Sequence, residues 1–529
     1  MSKRVWSILL ALGVAACALS ACQSAAPSVS APEQTTATTV TTTVTTAVTT
    51  TVTDVTTVAP TDLPVSSSTA APNTGKRPTT TTTVTTTTRP VTTIPLPPST
   101  TYGKDIIVDL GGYEFKYSSP WLQSLQVVLA GFPPLQEMQL LDRAEEVSEQ
   151  YNCTVKFTSF YPNVENLKIY IDAGKIPADV MEMMVSQMYA AAAAGYLEPY
   201  IRLIESGLIN LSDARWLQPY IEVGRFPLDW KIYGVRGREH AANDVVRNCV
   251  AFNKDLIRAA GKDPDALYDA VVDGKWDFEM LREYSLAVSQ KEGAFGITGE
   301  YKFLVEGFVW GNGGRILEVD KKGTLVSGLD SEKVQNGLAY LDRLVNEDKT
   351  VYLPEELFEE ENWGNVKFNA AEYFLEGNTA FLFCDGWAMP QQLRPKARFG
   401  YGMLPLPMGP DADGYVNPVH YGMVLSIPAG HKNVEKAGIV LNALMRPIQP
   451  GTNERLVQED WFQEGDTRSM DCWRLCLDNV MFDLGYGVPS MVDYLQHSSA
   501  RDILWRQTSI GTPDVDFSEE IQAVYSPKK

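Results

Sequence analysis

The feature that most constrains this chain is a stretch that cannot build a core. From Thr35 to Thr101, 31 of 67 residues are threonine, and most of the others are valine, alanine, proline and serine. Threonine and valine favour strands locally, but nothing here alternates about a buried face. So little apolar surface cannot offset the entropy of ordering the backbone. The stretch reads as a solvated stalk and a candidate for O-glycosylation, with a root-mean-square reach of roughly 50 Å as a flexible coil. Folding is left to the 428 residues from Tyr102 to Lys529, too many for one ordinary core and enough for two lobes. That region carries 40 basic against 62 acidic residues. Such a surface repels phosphate backbones, so nucleic acid is not an expected partner.

Ahead of the stalk, Lys3 and Arg4 precede the apolar run Val5 to Ala16 and then "LSAC", Leu19 to Cys22. A basic start, a short apolar run and small residues at the cut make a secretory signal, too short to span a bilayer. Leu-Ser-Ala-Cys resembles the lipobox of bacterial lipoproteins. That resemblance implies cleavage after residue 21, with Cys22 as the lipid anchor that holds the chain to the membrane; a plain signal peptide with an incidental cysteine is the other reading. Residues 22–101 would then lift the folded part from the outer face of the cell membrane, as on a Gram-positive surface.

Past Cys22 the five cysteines are Cys153, Cys249, Cys384, Cys472 and Cys476, an odd and scattered set unlike a disulfide framework. Cys472 and Cys476 lie one helical turn apart, which permits a bridge without requiring one. None of the four histidines is close in sequence to a cysteine pair, so no metal site is expected, and no motif calls for a cofactor.

The folded region alternates strands with helices. "DIIVDLGGYEF" (Asp105–Phe115) reads as an opening strand with a Gly-Gly turn, followed by helical spacing through Val147 and a strand at Thr154–Thr158. "AAAAAGYLEPY" reads as a helix ended by Gly195. In "DSEKVQNGLAYLDRLVNE", Ser331 can cap a helix whose apolar stripe is Val334, Leu338, Leu341 and Val345. "HYGMVLSIPAG" reads as a strand and "NVEKAGIVLNALM" as a helix. The rhythm predicts an α/β fold with mixed or parallel sheets.

Six segments, in order, resemble the extracellular solute-binding lipoproteins of ABC importers, whose type II fold includes maltose-binding protein. They are "PADVMEMM…AAAAAGYLEPY", "VAFNKDLIRAAG", "GKWDFEMLREYSLAVS", "FLVEGFVWGNGGRIL", "FLEGNTAFLFCDGWAM" and the long segment from "FGYGMLPLPMG" to "VLNAL". Together they span roughly Ile106 to Met445, and the tail after Pro447 matches only loosely. The resemblance implies a two-lobe α/β fold with a hinge and an interlobe cleft, in a single solute-binding domain over 102–529. Lobe one would hold about 102–248 and 418–451, and lobe two about 249–417 and 452–529. It also implies a monomer that hands a small-molecule ligand, a carbohydrate, to ABC permease subunits.

On this reading "CDGW" follows a strand of lobe two and turns into the cleft. Trp387 offers a flat apolar face to a sugar ring and Asp385 accepts hydroxyl hydrogen bonds; a core tryptophan and a turn-capping aspartate are the alternatives. Trp310, Tyr301 and Phe303 flank the Gly-Gly helix and suit a core as well as a pocket. Tyr421 and Trp363 complete the aromatic candidates. At the strand containing Asp179 the chain departs from the maltose-binding pattern: where that pattern has an aromatic soon after the strand, this chain has "MEMMVSQMY", with Met183, Ser186 and Tyr189. That leaves the sugar class open.

Catalytic motifs are lacking: the sequence has no G-x-S-x-G, no H-E-x-x-H and no P-loop. "EELFEEEN" (Glu355–Asn362) reads as a solvated run, and "DADG" (Asp411–Gly414) as a surface turn rather than a calcium loop. No catalytic residue is expected. A stalked glycosidase using two carboxylates, a sensing or adhesion receptor, and a receptor for a polyamine or peptide remain the competing readings.

Overall fold

The computed structural model describes residues 103–120, 135–240, 246–354, 368–419, 422–447, 449, 451–504 and 515–525. Cys22, the Thr-rich stretch, the acidic run Glu355–Asn362, Trp363 and Tyr421 lie outside the described residues.

Two five-stranded sheets organise the molecule. Sheet one contains β1 (Tyr113–Ser118), β2 (Cys153–Thr158), β3 (Val180–Met184), β4 (Leu197–Glu198) and, from far along the chain, β13 (Met423–Pro428), in the order β2-β1-β3-β13-β4. β1 runs parallel to β2 and β3, and β13 runs antiparallel to β3 and β4. Sheet two contains β5 (Cys249–Asn253), β6 (Phe295–Gly299), β9 (Val351–Tyr352), β10 (Thr379–Cys384) and β11 (Tyr401–Leu404), in the order β11-β5-β10-β6-β9. Here β6 is parallel to β9 and β10, while β5 is antiparallel to β10 and β11. β7 (Leu317–Val319) and β8 (Leu325–Ser327) form a hairpin, and β12 (Asn417–Pro418) pairs in parallel with β14 (Val480–Met481).

Every residue of β5, β10 and β13 is buried. Central strands covered on both faces by helices read as unbroken apolar runs, and "CVAFN", "TAFLFC" and "MVLSIP" are such runs. The helices start where the sequence supplies caps. Asn163 accepts from the Asn166 amide, Asn253 from those of Asp255 and Leu256, and Asp277 from that of Met280. Helix Val185–Ala193 ends two residues before Gly195, whose φ of 74° suits a residue without a Cβ. Helix Glu332–Asp342 buries Val334, Leu338 and Leu341, with Val345 only partly covered; Ser331 holds its N-cap position without a side-chain bond.

The opening strand is displaced from its expected place. Residues 105–110 form no strand, and Ile106, Ile107 and Val108 are exposed. Gly111 and Gly112, at φ 66° and 76°, turn the chain so that pairing with β2 begins at Tyr113. An apolar run becomes a strand only where a neighbour can take its hydrogen bonds.

Asp179, just before β3, joins three parts of sheet one. It accepts from the Tyr113 hydroxyl, the Lys116 amide at 2.7 Å and His431 Nε2 at 2.8 Å, while His431 Nδ1 accepts from the Asn433 amide at 3.0 Å. Burial alone would raise the Asp179 carboxyl, but the bonds from His431, Tyr113 and Lys116 outweigh it and hold the group below its ordinary range.

The chain passes from sheet one to sheet two after β4, returns before β13, and leaves again after helix Val434–Leu444. Asn417 stitches these passages together. Its Oδ1 accepts from the Arg247 amide at 3.4 Å, its Nδ2 donates to Cys476 O at 3.1 Å, and its amide donates to Asn479 O at 2.9 Å.

Candidate functional site

β6 and β10 are parallel neighbours, with Phe383 paired to Gly299. Their C-terminal ends therefore deliver two short segments, Glu300–Lys302 and Asp385–Trp387, to the same edge of sheet two. Helix Tyr301–Gly311 starts at this edge, so the positive end of its dipole faces the same region. Open α/β sheets present their ligand crevices at such strand ends.

The Cys384–Trp387 turn is shaped by a close approach. A Cβ on Gly386 would lie 2.1 Å from the Val246 carbonyl oxygen, so only glycine lets the turn rest on the passage into β5. Asp385 Oδ1 accepts from the Trp387 amide at 3.0 Å, and its Oδ2 lies 3.0 Å from Arg247 Nη2. Asp385 thus caps its own turn and binds the passage strand. A carboxylate offers about four lone-pair sites, so these two contacts leave acceptor capacity for a ligand. Burial pushes the Asp385 carboxyl up, with Arg247 and the Trp387 amide opposing. Trp387 is 39% exposed, and a large aromatic half in water beside a buried charge pair is equipped to stack on a ring.

Behind the turn lies a buried polar cluster. Glu306, one helical turn beyond Lys302, is 1% exposed. It accepts from the Tyr486 hydroxyl and from Gln496 Nε2 at 2.5 Å, and the Asn248 side chain stands close by. Burial lifts its carboxyl to about 7, which the Tyr486 and Gln496 hydrogen bonds and the nearby Asn248 side chain only partly offset.

From sheet one, β3 ends at Met184 and helix Val185–Ala193 begins at once, the Val185 amide donating to Gly422 O at 2.9 Å. An aromatic row continues to sheet two: Tyr189 to Phe482 at 5.2 Å, Phe482 to Tyr486 at 6.2 Å, and Tyr486 to Trp310 at 5.7 Å between ring centroids.

The residues singled out from sequence divide accordingly. Asp385 and Trp387 share the turn, and Tyr301 is half-buried at the adjacent helix start, its ring 5.5 Å from that of His497. Trp310 takes the core place: it is fully buried and donates its indole N–H to Asp483 Oδ2 at 3.1 Å. Phe303 and Met183 are also buried, while Ser186 is half-buried on the first turn of helix Val185–Ala193. Sequence reasoning missed Arg247, Asn248, Lys302 and Glu306. The signal for Glu306 was present, a single carboxylate inside the apolar run "FLVEGFVW". Arg247 and Asn248 stand just ahead of the buried run of β5. Among the described residues no group of three His, Cys, Asp or Glu is placed to hold a metal ion, and no helix is long and apolar enough to cross a membrane.

Comparison with curated protein sequences returns no match. Solved structures do match in fold. UspC from Mycobacterium tuberculosis aligns at 14% identity and a TM-score of 0.52, over 78% of this chain and 99% of that one. The sugar-binding protein MalE from Xanthomonas citri aligns at 14% and 0.52, over 78% and 96%. The cyclic α-maltosyl-1,6-maltose binding protein from Arthrobacter globiformis aligns at 12% and 0.51, over 78% and 98%. Residues 142–447, more than half of the chain, match the family described as bacterial extracellular solute-binding protein. With two sheets joined by repeated passages, the chain belongs to that family, the solute receptors of ABC importers.

Proposed function

We propose that this protein is a lipid-anchored extracellular receptor that captures a carbohydrate, an oligosaccharide in particular, and delivers it to an ABC permease. Residues 1–21 are the signal, Cys22 the lipid-bearing residue and 22–101 the stalk. Lobe one comprises about 102–248 and 418–451, and lobe two about 249–417 and 452–529. The observation that carries the ligand class is the half-exposed Trp387 beside the Asp385–Arg247 pair. An aromatic face with planar charged groups at its edge suits the C–H and O–H surfaces of a sugar. Two of the fold neighbours, MalE and the cyclic maltosyl-maltose binder, are named for sugars, which supports the same class. Arg247 and Lys302 both act on Asp385, so a polyamine would meet two positive charges there. The ligand stacks on Trp387, Asp385 accepts from its hydroxyls, Ser186 and the start of helix Val185–Ala193 approach from lobe one, and hinge closure buries it.

The test is thermal melting of the purified protein against oligosaccharides, polyamines and peptides, with the incubated sugars sized afterwards. A shift with one sugar recovered intact is expected, amounting to about 2.7 kcal/mol at a hundredfold excess over Kd. Trp387→Ala should weaken that binding about tenfold or more while leaving the unliganded melt nearly unchanged. Shortened sugar would establish a glycosidase instead, and a shift with polyamines alone would overturn the role of Trp387.

A further inference from the structure

Cys249 and Cys384 are the first residue of β5 and the last of β10, and the antiparallel register sets them directly opposite each other. Residues so paired have Cα atoms about 4.5–5.5 Å apart, inside the range a disulfide spans. Both are buried and reduced, with sulfurs 4.0 Å apart. The position matters as much as the distance. Cys249 follows Arg247 and Asn248 on the passage between the sheets, and Cys384 precedes Asp385 and Trp387. A bond between these sulfurs would tie the passage strand to the ligand turn.

We propose that Cys249 and Cys384 are an oxidative modification site, a dithiol at the base of the ligand turn that closes to a cross-strand disulfide. The co-reactant is a low-molecular-weight disulfide of the glutathione type. Cys384 loses its proton to solvent and its thiolate attacks one sulfur of that disulfide, releasing one thiolate and leaving a mixed disulfide on Cys384. Cys249, deprotonated in turn, attacks Cys384 Sγ and expels the second thiolate. The two leaving thiolates take up the two protons, so one external disulfide is reduced to two thiols as the protein dithiol is oxidised. Cys384 reacts first because it keeps 5% exposure beside the half-exposed Trp387, whereas Cys249 has none. The hydrogen bond with Cys384, and then burial, raise the Cys249 thiol well above the ordinary range, so closure is slow at neutral pH and faster in alkali. The sulfurs need approach only from 4.0 Å to about 2.05 Å, a side-chain adjustment within paired strands.

The competing bridge is Cys472–Cys476 on helix Thr467–Asp478, where both thiols are buried and one helical turn apart. Cys476 does come within electrostatic range of Cys249, so peptide mapping must separate the candidates. The whole protein is incubated folded with glutathione disulfide, then analysed by intact mass and by non-reducing peptide mapping. A loss of about 2 Da and a linked Cys249–Cys384 peptide are expected. The loss should disappear in Cys249→Ser, Cys249→Ala and Cys384→Ser and persist in the Cys472→Ser, Cys476→Ser double variant. The oxidised wild type should melt higher than the reduced form, with dithiothreitol reversing the shift. No mass loss from folded wild type, or a loss that survives in Cys384→Ser, overturns the proposal. Neither readout involves a ligand, so failure here is distinct from failure of the carbohydrate reading.

Discussion

Glu306 is held where its charge is least welcome. Its helix carries it into an apolar wall, and its partners come from the tail: Tyr486, 180 residues later, and Gln496, 190 later. Burial lifts its carboxyl from 4.5 to about 7. As pH rises through that interval the unfolded chain sheds this proton first, so the contribution is complete below about 4.5 and is lost on the way to 7. The loss is about 3 kcal/mol at 1.36 kcal/mol per unit. Glu306→Gln keeps the shape and removes the titration, so its melting temperature should fall less than that of the wild type between those pH values. Parallel pH profiles for the two proteins would remove the special environment assigned to Glu306. The site assembled around such residues was only partly legible. Asp385 and Trp387 could be found because they follow an apolar strand run in one short motif. Arg247 could not, because an arginine in "VVRNCV" acquires meaning only when β5 and β10 pair and bring it to Asp385.

At the scale of the element, the turn after β10 shows what sequence carries and what it withholds. Strand runs, caps and helix stops are local, and Asn253, Asp277 and Gly195 act where their neighbours in sequence require them. Pairing is not local. The run "DIIV" has strand composition, yet Ile106, Ile107 and Val108 stay in water because the Gly111–Gly112 turn gives the β2 partnership to Tyr113–Ser118. Asp179 likewise reads as one residue before a strand, while its role is to join β1, β3 and the loop after β13. Gly386 belongs with these non-local features, since a Cβ there would meet a carbonyl of a different segment at 2.1 Å. Gly386→Ala must separate the turn from Val246, so it should cost about 1–3 kcal/mol as an overpacked site and weaken ligand binding as Trp387 and Asp385 move. Denaturant unfolding and a binding titration read the two effects. An alanine variant with wild-type stability would mean that the turn can lift off the passage freely.

Across the whole molecule, two sheets with separate pairings must behave as one receptor, and the residues beyond the family match at 447 help to join them. β14 pairs with β12 on the way back to sheet one, and Phe482 lies against Tyr189 of the sheet-one helix. The last described helix, Ser518–Tyr525, packs on helix Val185–Ala193 and also on β8. Tyr525 anchors it, 1% exposed, with its hydroxyl donating to Leu484 O at 2.6 Å and Gly487 kept bare beneath it. The tail therefore ties the sheet-one helix to the β7–β8 hairpin, a role its loose resemblance to the family could not disclose. If that tie sets the cooperativity of the molecule, Tyr525→Ala should do more than open a cavity. The cavity alone costs about 3 kcal/mol, the range for losing a buried ring. Loss of the tie should also broaden the calorimetric transition or split it in two, as sheet one and sheet two melt on their own. A narrow single transition at lower temperature would locate the coupling in the three chain passages and Asn417 instead, leaving Tyr525 as packing alone.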